Sequence, residues 1–432
     1  MLIRRKSFFA LSAAGASSAL LAACGGGDDS SAASGSSDGG GASDAGGAKK
    51  KNKDAPDRAD ADLVIWADEL KATSLQEPAE AWGKKNGISV AVQIVSGDLQ
   101  PAFVTANQAG NGPDIVLGAH DWIGNMVQNS AISPVQLPAD AKDKVAPIGL
   151  SAVTFDGQTY GVPYAVETLV LYANKKLTDT PEPSTIEELV SAAKSGSAKN
   201  ILSLPVGDEG DAYHMEPLYT SAGGYLFGKG SDGNLDPKDL GVGKEGSISA
   251  GEKMKELGEQ KVLKTSINGD NAISLFTDGK AAYLISGPWA LADVKKAKID
   301  FAMSAVPGFE GMDPAVPFAG VNAFYVASQG KNAAFAQQFV TDLAGSPDIP
   351  EAMFAKNELP PVNLELQKKL AAKNPEIVKV AKLAEKAEPM PSIPAMAAIW
   401  GPLGKAEATI VGGADPKKTM KAAGKEIASQ IK

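Results

Sequence analysis

From Leu63 onward the chain alternates short runs of β-branched and apolar residues with stretches whose apolar residues recur at helical spacing. Neither a helical bundle nor a β-sandwich produces that alternation; an α/β architecture with largely parallel sheets does. Leu63-Val64-Ile65-Trp66 reads as a buried strand. Ser74 and Glu77 have the spacing of a capping box, and Leu75, Ala79 and Trp82 give the helix after it a core face. Ile88 to Val95 alternates as a second strand, a helix is predicted over 99–108, and Asp114-Ile115-Val116-Leu117 supplies a third strand, completing a βαβαβ unit. Asp156-Gly157 predicts a hairpin turn, a strand follows over 167–173, and Ser184 with Glu187 caps a helix whose Ile186, Leu189 and Val190 face inward. Strands are predicted again at 200–205, 281–286, 301–306 and 321–327, before a helical remainder whose last helix has Asp415 as N-cap and Pro416 as first residue. At 432 residues the chain exceeds what one hydrophobic core serves, so two α/β lobes are expected.

The N-terminal part follows no such pattern. Arg4, Arg5 and Lys6 precede an apolar run from Phe8 to Ala23, too short and too rich in small residues for a membrane span, which reads as an export signal. It ends Leu21-Ala22-Ala23-Cys24, which resembles the lipobox of bacterial lipoproteins, in which the cysteine is acylated and becomes the new N-terminus. Cys24 is the only cysteine, so no internal disulfide and no CxxC motif can form. Residues 24–61 hold the cysteine and then Gly, Ser, Ala, Asp and a Lys49-Lys50-Lys51 run with no large apolar residue; nothing there offsets the entropy of ordering a chain, so a flexible tether is expected.

Several activities lack their residues. A formal charge of −9, without a dense basic stripe on the body, argues against nucleic-acid binding. Gly228 to Gly233 matches GxGxxG, but no strand ends at its first glycine and Asn234-Leu235-Asp236-Pro237 cannot open the required helix. His120 and His214 lack the spacing of a zinc site, no GxSxG elbow appears around a serine that could serve as an exposed nucleophile, and no phosphate-binding Walker-type glycine loop occurs. No metal, no catalytic residue and no cofactor are expected.

What remains is a set of tryptophans and carboxylates at strand–helix junctions, where α/β folds hold ligands. Trp122, Trp289 and Trp400 sit beside helix-breaking residues, whereas Trp66 and Trp82 belong to core patterns. The C–H faces of pyranose rings stack on indole, while their hydroxyls need fixed donors and acceptors, so this combination points to sugar.

The stretches LVIW at 63–66, GPDI at 112–115 with AHD at 119–121, AVE at 165–167 with NKKL at 174–177, GPWA at 287–290, and MPSIP with the IW pair between 390 and 400 occur in the order seen in one family. On these the chain resembles the maltose/maltodextrin-binding proteins of ABC importers from Leu63 to its end. The resemblance implies a two-lobed, periplasmic-binding-protein-like α/β fold, with lobe 1 formed by 62–165 and 317–370 and lobe 2 by 166–316 and 371–432. Its crossings fall near Ala165, Pro317 to Phe324 and Leu366 to Asn374, and the lobes close on ligand by hinge bending. It implies a monomer that captures a neutral, maltodextrin-like oligosaccharide outside the cytoplasm, held to the membrane through Cys24. The sugar is passed to membrane permease subunits, and ATP is hydrolysed by other subunits of the importer.

Carried over by position, Lys71, Asp121 and Glu167 hydrogen-bond the sugar from lobe 1, and Tyr213, Trp289 and Trp400 line the other side. Asp211 stands where the family has a glutamate. Leu70 stands at an acidic position, which Asp68 or Glu69 replaces. Gly118 stands where an aromatic is expected and Trp122 where an arginine is, so the aromatic platform is shifted and a neutral oligosaccharide is favoured over a charged one. Two other classes use such residues: a glycoside hydrolase, with paired carboxylates, and a sugar-sensing surface protein.

Overall fold

The computed structural model describes residues 55–194, 198–231 and 233–431; the export signal, Cys24 and the tether as far as residue 54 lie outside the described residues. β1 (Leu63–Ala67), buried at every position, pairs in parallel with β2 (Val90–Ile94) and β3 (Ile115–Ala119). Parallel neighbours need crossovers, and α1 (Glu69–Asn86) and α2 (Leu99–Gln108) supply them. The predicted βαβαβ unit is therefore present.

Beyond it the chain crosses between two sheets. β4 (Gly161–Thr168) lies in the first sheet, and after Leu169 the chain continues as β5 (Val170–Asn174) in a second sheet with β6 (Asn200–Ser203), β7 (Ala281–Ser286) and β8 (Phe301–Ser304), ordered β8-β5-β7-β6. β9 (Phe318–Ala327) brings the chain back, antiparallel to both β3 and β4. The largely parallel pairing expected from the sequence thus holds for β1–β3 and for β6 with β7, and fails at β5 and β9. These two strands enter their sheets from the junction, whereas β3, β4, β7 and β8 run toward it, which makes β9 antiparallel to β3 and β4 and β5 antiparallel to β7 and β8. Most strand carboxyl ends therefore converge on the junction.

Helices cover both sheets. α3 (Ala212–Ser221), α4 (Glu245–Glu259) and two C-terminal helices build the second core, with Met215, Met254, Leu403, Ile410, Met420 and Ile427 among its buried residues. In the first lobe α5 (Ala333–Gly345) buries Phe339, Val340 and Leu343. α6 (Pro375–Ala384) is shared: Ile377, Val378 and Val380 pack with Val170 and Tyr172 of β5, while Ala381 and Ala384 join the first core. Glu388-Pro389 still pairs with β9, and α7 (Trp400–Val411) and α8 (Pro416–Gln430) then complete the second lobe. Among the described residues no helix is long and apolar enough to cross a membrane.

Three local expectations shift. α1 begins at Glu69, because Asp68 accepts from the Lys71 amide and caps the helix a turn earlier than Ser74, which is buried inside it. The capping pair at the helix Ile186–Lys194 is Thr185 with Glu188, one residue along from Ser184 and Glu187: Thr185 Oγ1 accepts from the Glu188 amide, and Glu188 Oε2 accepts from the Ser184 amide at 2.6 Å. Residues 55–61, assigned by composition to the tether, are docked. Arg58 donates to Gly112 O and to the buried Asp114 carboxylate at 2.7 Å, and Gln93 accepts from the Ala59 amide. A single buried ion pair thus fixes a segment that has no large apolar residue of its own.

β9 is also held from the side by His120. The Val321 amide donates to Nδ1 at 3.1 Å, so Nε2 carries the proton and donates to Met390 O at 3.1 Å. Burial pushes its pKa down to about 4, against the opposing pull of the Met390 carbonyl. The unfolded chain takes up a proton near pH 6.5 that the folded chain accepts only near pH 4, so the stability contributed by neutral His120 is full above pH 6.5 and is lost as pH falls toward 4, on the order of 3 kcal/mol. Urea denaturation at pH 7 and pH 4.5 should show a steeper loss for the native chain than for His120→Gln; equal losses would refute the assignment.

Candidate functional site

The turns that follow the strand ends at the junction carry the residues singled out from sequence: Asp68, Glu69 and Lys71 after β1, Asp121 and Trp122 after β3, Glu167 near the end of β4, and Trp289 after β7. Asp68 spends one carboxylate oxygen on the Lys71 amide and pairs the other with the Lys71 ammonium, so the lysine charge is compensated locally. Glu69 is exposed, as is Leu70 beside it.

β4 is not regular here. Its register against β9 passes from Ala323↔Pro163 to Asn322↔Ala165, leaving Tyr164 as an extra residue, a bulge of the kind that re-aims a side chain. The Tyr164 hydroxyl is buried with no hydrogen-bond partner among the described residues. Burial raises its pKa well above the usual tyrosine value, and the carboxylates of Asp68 and Glu167 push it further. Asp121 Oδ1 is likewise buried and unpartnered, and burial raises the Asp121 pKa.

Trp122 lies over Gly118, where a β-carbon would overlap the indole, and packs against the cluster of Trp66, Leu99 and Phe103. Its contacts are thus with the first lobe. The second lobe, together with Phe318 at the start of β9, contributes a continuous set of rings. Tyr213 lies 6.0 Å from Phe318 in a stacked arrangement and 6.4 Å from Trp289; His214 is edge-on to both Tyr213 and Trp289, at 5.4 and 6.1 Å; Phe318 meets Trp400 at 5.9 Å. Trp289 is 40% exposed, the only large ring so open among the described residues. Burial raises the Tyr213 pKa, and Glu167 and Asp211 add to the shift, so Glu167 acts on Tyr164 of one lobe and Tyr213 of the other.

Asp211 is engaged differently from the expectation. It caps α3, accepting from the His214 amide at Oδ1 (3.1 Å) and from His214 Nδ1 at Oδ2 (2.8 Å). Sequence reasoning passed over Tyr164, His214 and Phe318. The Pro163-Tyr164 pair within a strand pattern and the Asp-x-x-His spacing at a helix start were the available signals for the first two; Phe318 had none, because its partners are distant in sequence. A cavity of about 890 Å³ lies elsewhere, lined by Glu77, Trp82, Asp140, Asp342 and Lys356 among others, and its one indole is buried with Nε1 donating to Asp342 at 2.8 Å. Among the described residues no group of three or more His, Cys, Asp or Glu is set to hold a metal.

A sequence model of bacterial extracellular solute-binding proteins matches residues 77–380. The galactooligosaccharide-binding protein of Bacillus subtilis is 30% identical, over 86% of this chain and 90% of that protein. A maltooligosaccharide ABC transporter solute-binding lipoprotein of Streptococcus pneumoniae is 28% identical, over 79% and 82%. The crystal structure of a cyclo/maltodextrin-binding protein complexed with maltotetraose superposes with a TM-score of 0.77 at 28% identity, covering 87% of this chain and 98% of that one.

The Asp121 carboxylate tests whether these buried polar groups serve the site at the expense of the fold. Its pKa is raised in the folded state, so ionisation opposes folding above that value and the penalty fades as pH falls toward 3.8. Asp121→Asn should raise the thermal midpoint at pH 7, with the gain disappearing in acid. A lower midpoint at pH 7 would contradict the unpartnered state.

Proposed function

Because the chain belongs to the bacterial extracellular solute-binding proteins, we propose that it captures a neutral oligosaccharide, a maltodextrin in particular, between its two lobes and passes it to an ABC importer. The observation that carries this reading is the run of rings from Trp289 through Tyr213 and Phe318 to Trp400, next to the Glu167 carboxylate and an indole left 40% exposed. Stacking rings and fixed carboxylates are the two things a pyranose needs. The local charge balance adds selectivity: the candidate residues hold five carboxylates, Asp68, Glu69, Asp121, Glu167 and Asp211, and one lysine, Lys71, which is already paired with Asp68, and this balance disfavours uronates and other anionic sugars.

In this reading the lobe bounds expected from sequence shift: because Phe318 opens β9 and Glu388-Pro389 still pairs with it, lobe 1 takes 55–168 and 318–389 and lobe 2 takes 169–317 and 390–431, with hinge bending at Leu169, Pro317 and Met390 in place of a crossing at Leu366 to Asn374. Sugar binding stabilises the closed form, which the permease recognises. The protein acts as a monomer, without cofactor or hydrolytic step, on the outer side of the membrane and anchored through acylated Cys24. Glu167 is a hydrogen-bond acceptor in this scheme, with Lys71 and Asp121 beside it.

A second sugar class has a specific observation behind it. The relative at 30% identity is named for galactooligosaccharides, and Trp122 of this chain fills the space over Gly118. Intrinsic tryptophan fluorescence of the purified chain, titrated in parallel with maltotriose, maltotetraose and a galactotriose, separates the two. A saturable response to the maltodextrins is expected, weakened about 10- to 100-fold by Trp289→Ala, the effect of about 1–3 kcal/mol that loss of a stacking ring produces. A response to galactotriose alone would retain import and discard maltodextrin; silence with all three would discard both.

A further inference from the structure

His214 stands among the second-lobe rings, and its hydrogen bonds leave it a role of its own. The imidazole is mostly buried, with 14% of its side chain exposed. Nδ1 faces Asp211 Oδ2 at 2.8 Å, and the other carboxylate oxygen is occupied by the His214 backbone amide. A carboxylate only accepts, so Nδ1 carries the proton, and in the neutral ring the lone pair is at Nε2. Among the described residues no hydrogen bond engages Nε2, and it is absent from the polar atoms that are both buried and unpartnered, so it retains access to solvent. The ring stands at 88° to the Trp289 indole with centroids 6.1 Å apart. A pyranose lying against that indole carries its hydroxyls on its rim, where a neighbouring acceptor can reach one of them.

The geometry points to His214, and not Asp211, as the hydrogen-bonding residue that the aromatic lobe offers to the sugar: Nε2 accepts a hydrogen bond from one hydroxyl of the ring stacked on Trp289, and Asp211 positions the imidazole by fixing its tautomer. This assignment rests on the oligosaccharide reading above and names the group that selects among neutral sugars. Asp211 is thereby a positioning residue. The arrangement is the sugar-site version of a carboxylate orienting a histidine so that its far nitrogen is the one that acts.

The chain has two histidines, so nitrogen NMR resolves both rings. In the sugar-free chain above neutral pH, the His214 ring should show Nδ1 protonated and Nε2 unprotonated, and adding maltotriose, or galactotriose if that is the sugar bound, should move the Nε2 resonance in the direction of an accepted hydrogen bond. The His120 ring, bonded at both nitrogens within the fold, is the internal reference. In parallel, affinities for the bound trisaccharide and its monodeoxy analogues are measured for the native chain, His214→Phe and His214→Gln. One deoxy analogue should bind the native chain about tenfold more weakly, the size of one neutral hydrogen bond. His214→Phe keeps a ring beside Trp289, so it should lose about tenfold for the parent sugar and no longer distinguish that analogue; His214→Gln, which retains an acceptor, should recover part of both. An Nε2 resonance unmoved by saturating sugar, or a His214→Phe chain that discriminates the analogues as the native one does, overturns the assignment while leaving the oligosaccharide reading intact. A native chain that binds neither trisaccharide overturns both.

Discussion

The antiparallel pairing of β4 with β9 is the constraint on which the rest depends. β4 delivers the chain out of the first sheet and β9 brings it back, and their ladder, from Ala319↔Thr168 to Tyr325↔Gly161, holds the exit and return side by side. Because the two strands are bonded to each other, the two lobes cannot be placed independently: the second sheet starts where Leu169 leaves the ladder, and the second aromatic cluster starts where Phe318 enters it. Phe318 is the first residue of a first-sheet strand, yet it packs in the second core and against Tyr213 and Trp400. Glu167, opposite Gly320 in the same ladder, is correspondingly the acid whose charge is felt by a tyrosine on either side.

That junction holds polar groups on unfavourable terms. Asp121 Oδ1 and the Tyr164 hydroxyl are buried without partners among the described residues, and α3 and α7, which carry the rings, bury Glu216 and Glu407. Burial raises the pKa of both glutamates, each is further raised by another acid, and the Glu407 oxygens have no hydrogen bond among the described residues. An unpaired buried polar group costs about 1–3 kcal/mol, so a chain selected for stability alone would replace them. Where such groups line a ligand site, the same unmade hydrogen bonds become available to a ligand, and the deficit in the free protein adds to what binding can recover.

Much of the architecture was legible because it is local. The 63–67 run, the α1 face of Leu75, Ala79 and Trp82, and the Asp415-Pro416 helix start need only periodicity and cap chemistry, and each is where the sequence puts it. The misplaced caps show the limit of that reasoning: Asp68 and Ser74 both have the right side chain, and what decides between them is that β1 ends at Ala67, a fact of sheet pairing. Strand direction was illegible for the same reason, since whether β9 runs with or against β3 depends on which end of the sheet the chain re-enters. The acids and tryptophans of the candidate site were chosen from motif order, but Tyr164 is aimed by a bulge, and the partners of His214 and Phe318 are brought together only by the folded second lobe.

Two turns of the candidate site share one device. At the end of β3 the chain reads Gly118-Ala119-His120-Asp121-Trp122, and after β7 it reads Gly287-Pro288-Trp289; in each the indole folds back over the glycine, and a β-carbon on either glycine would overlap it. A tryptophan in this position therefore requires a residue without a side chain at 118. In β7 the device leaves the indole 40% exposed, whereas Trp122 is braced by Trp66, Leu99 and Phe103. The first lobe thus carries most of the candidate acids and the second most of the rings, and the ladder of β4 with β9 joins them.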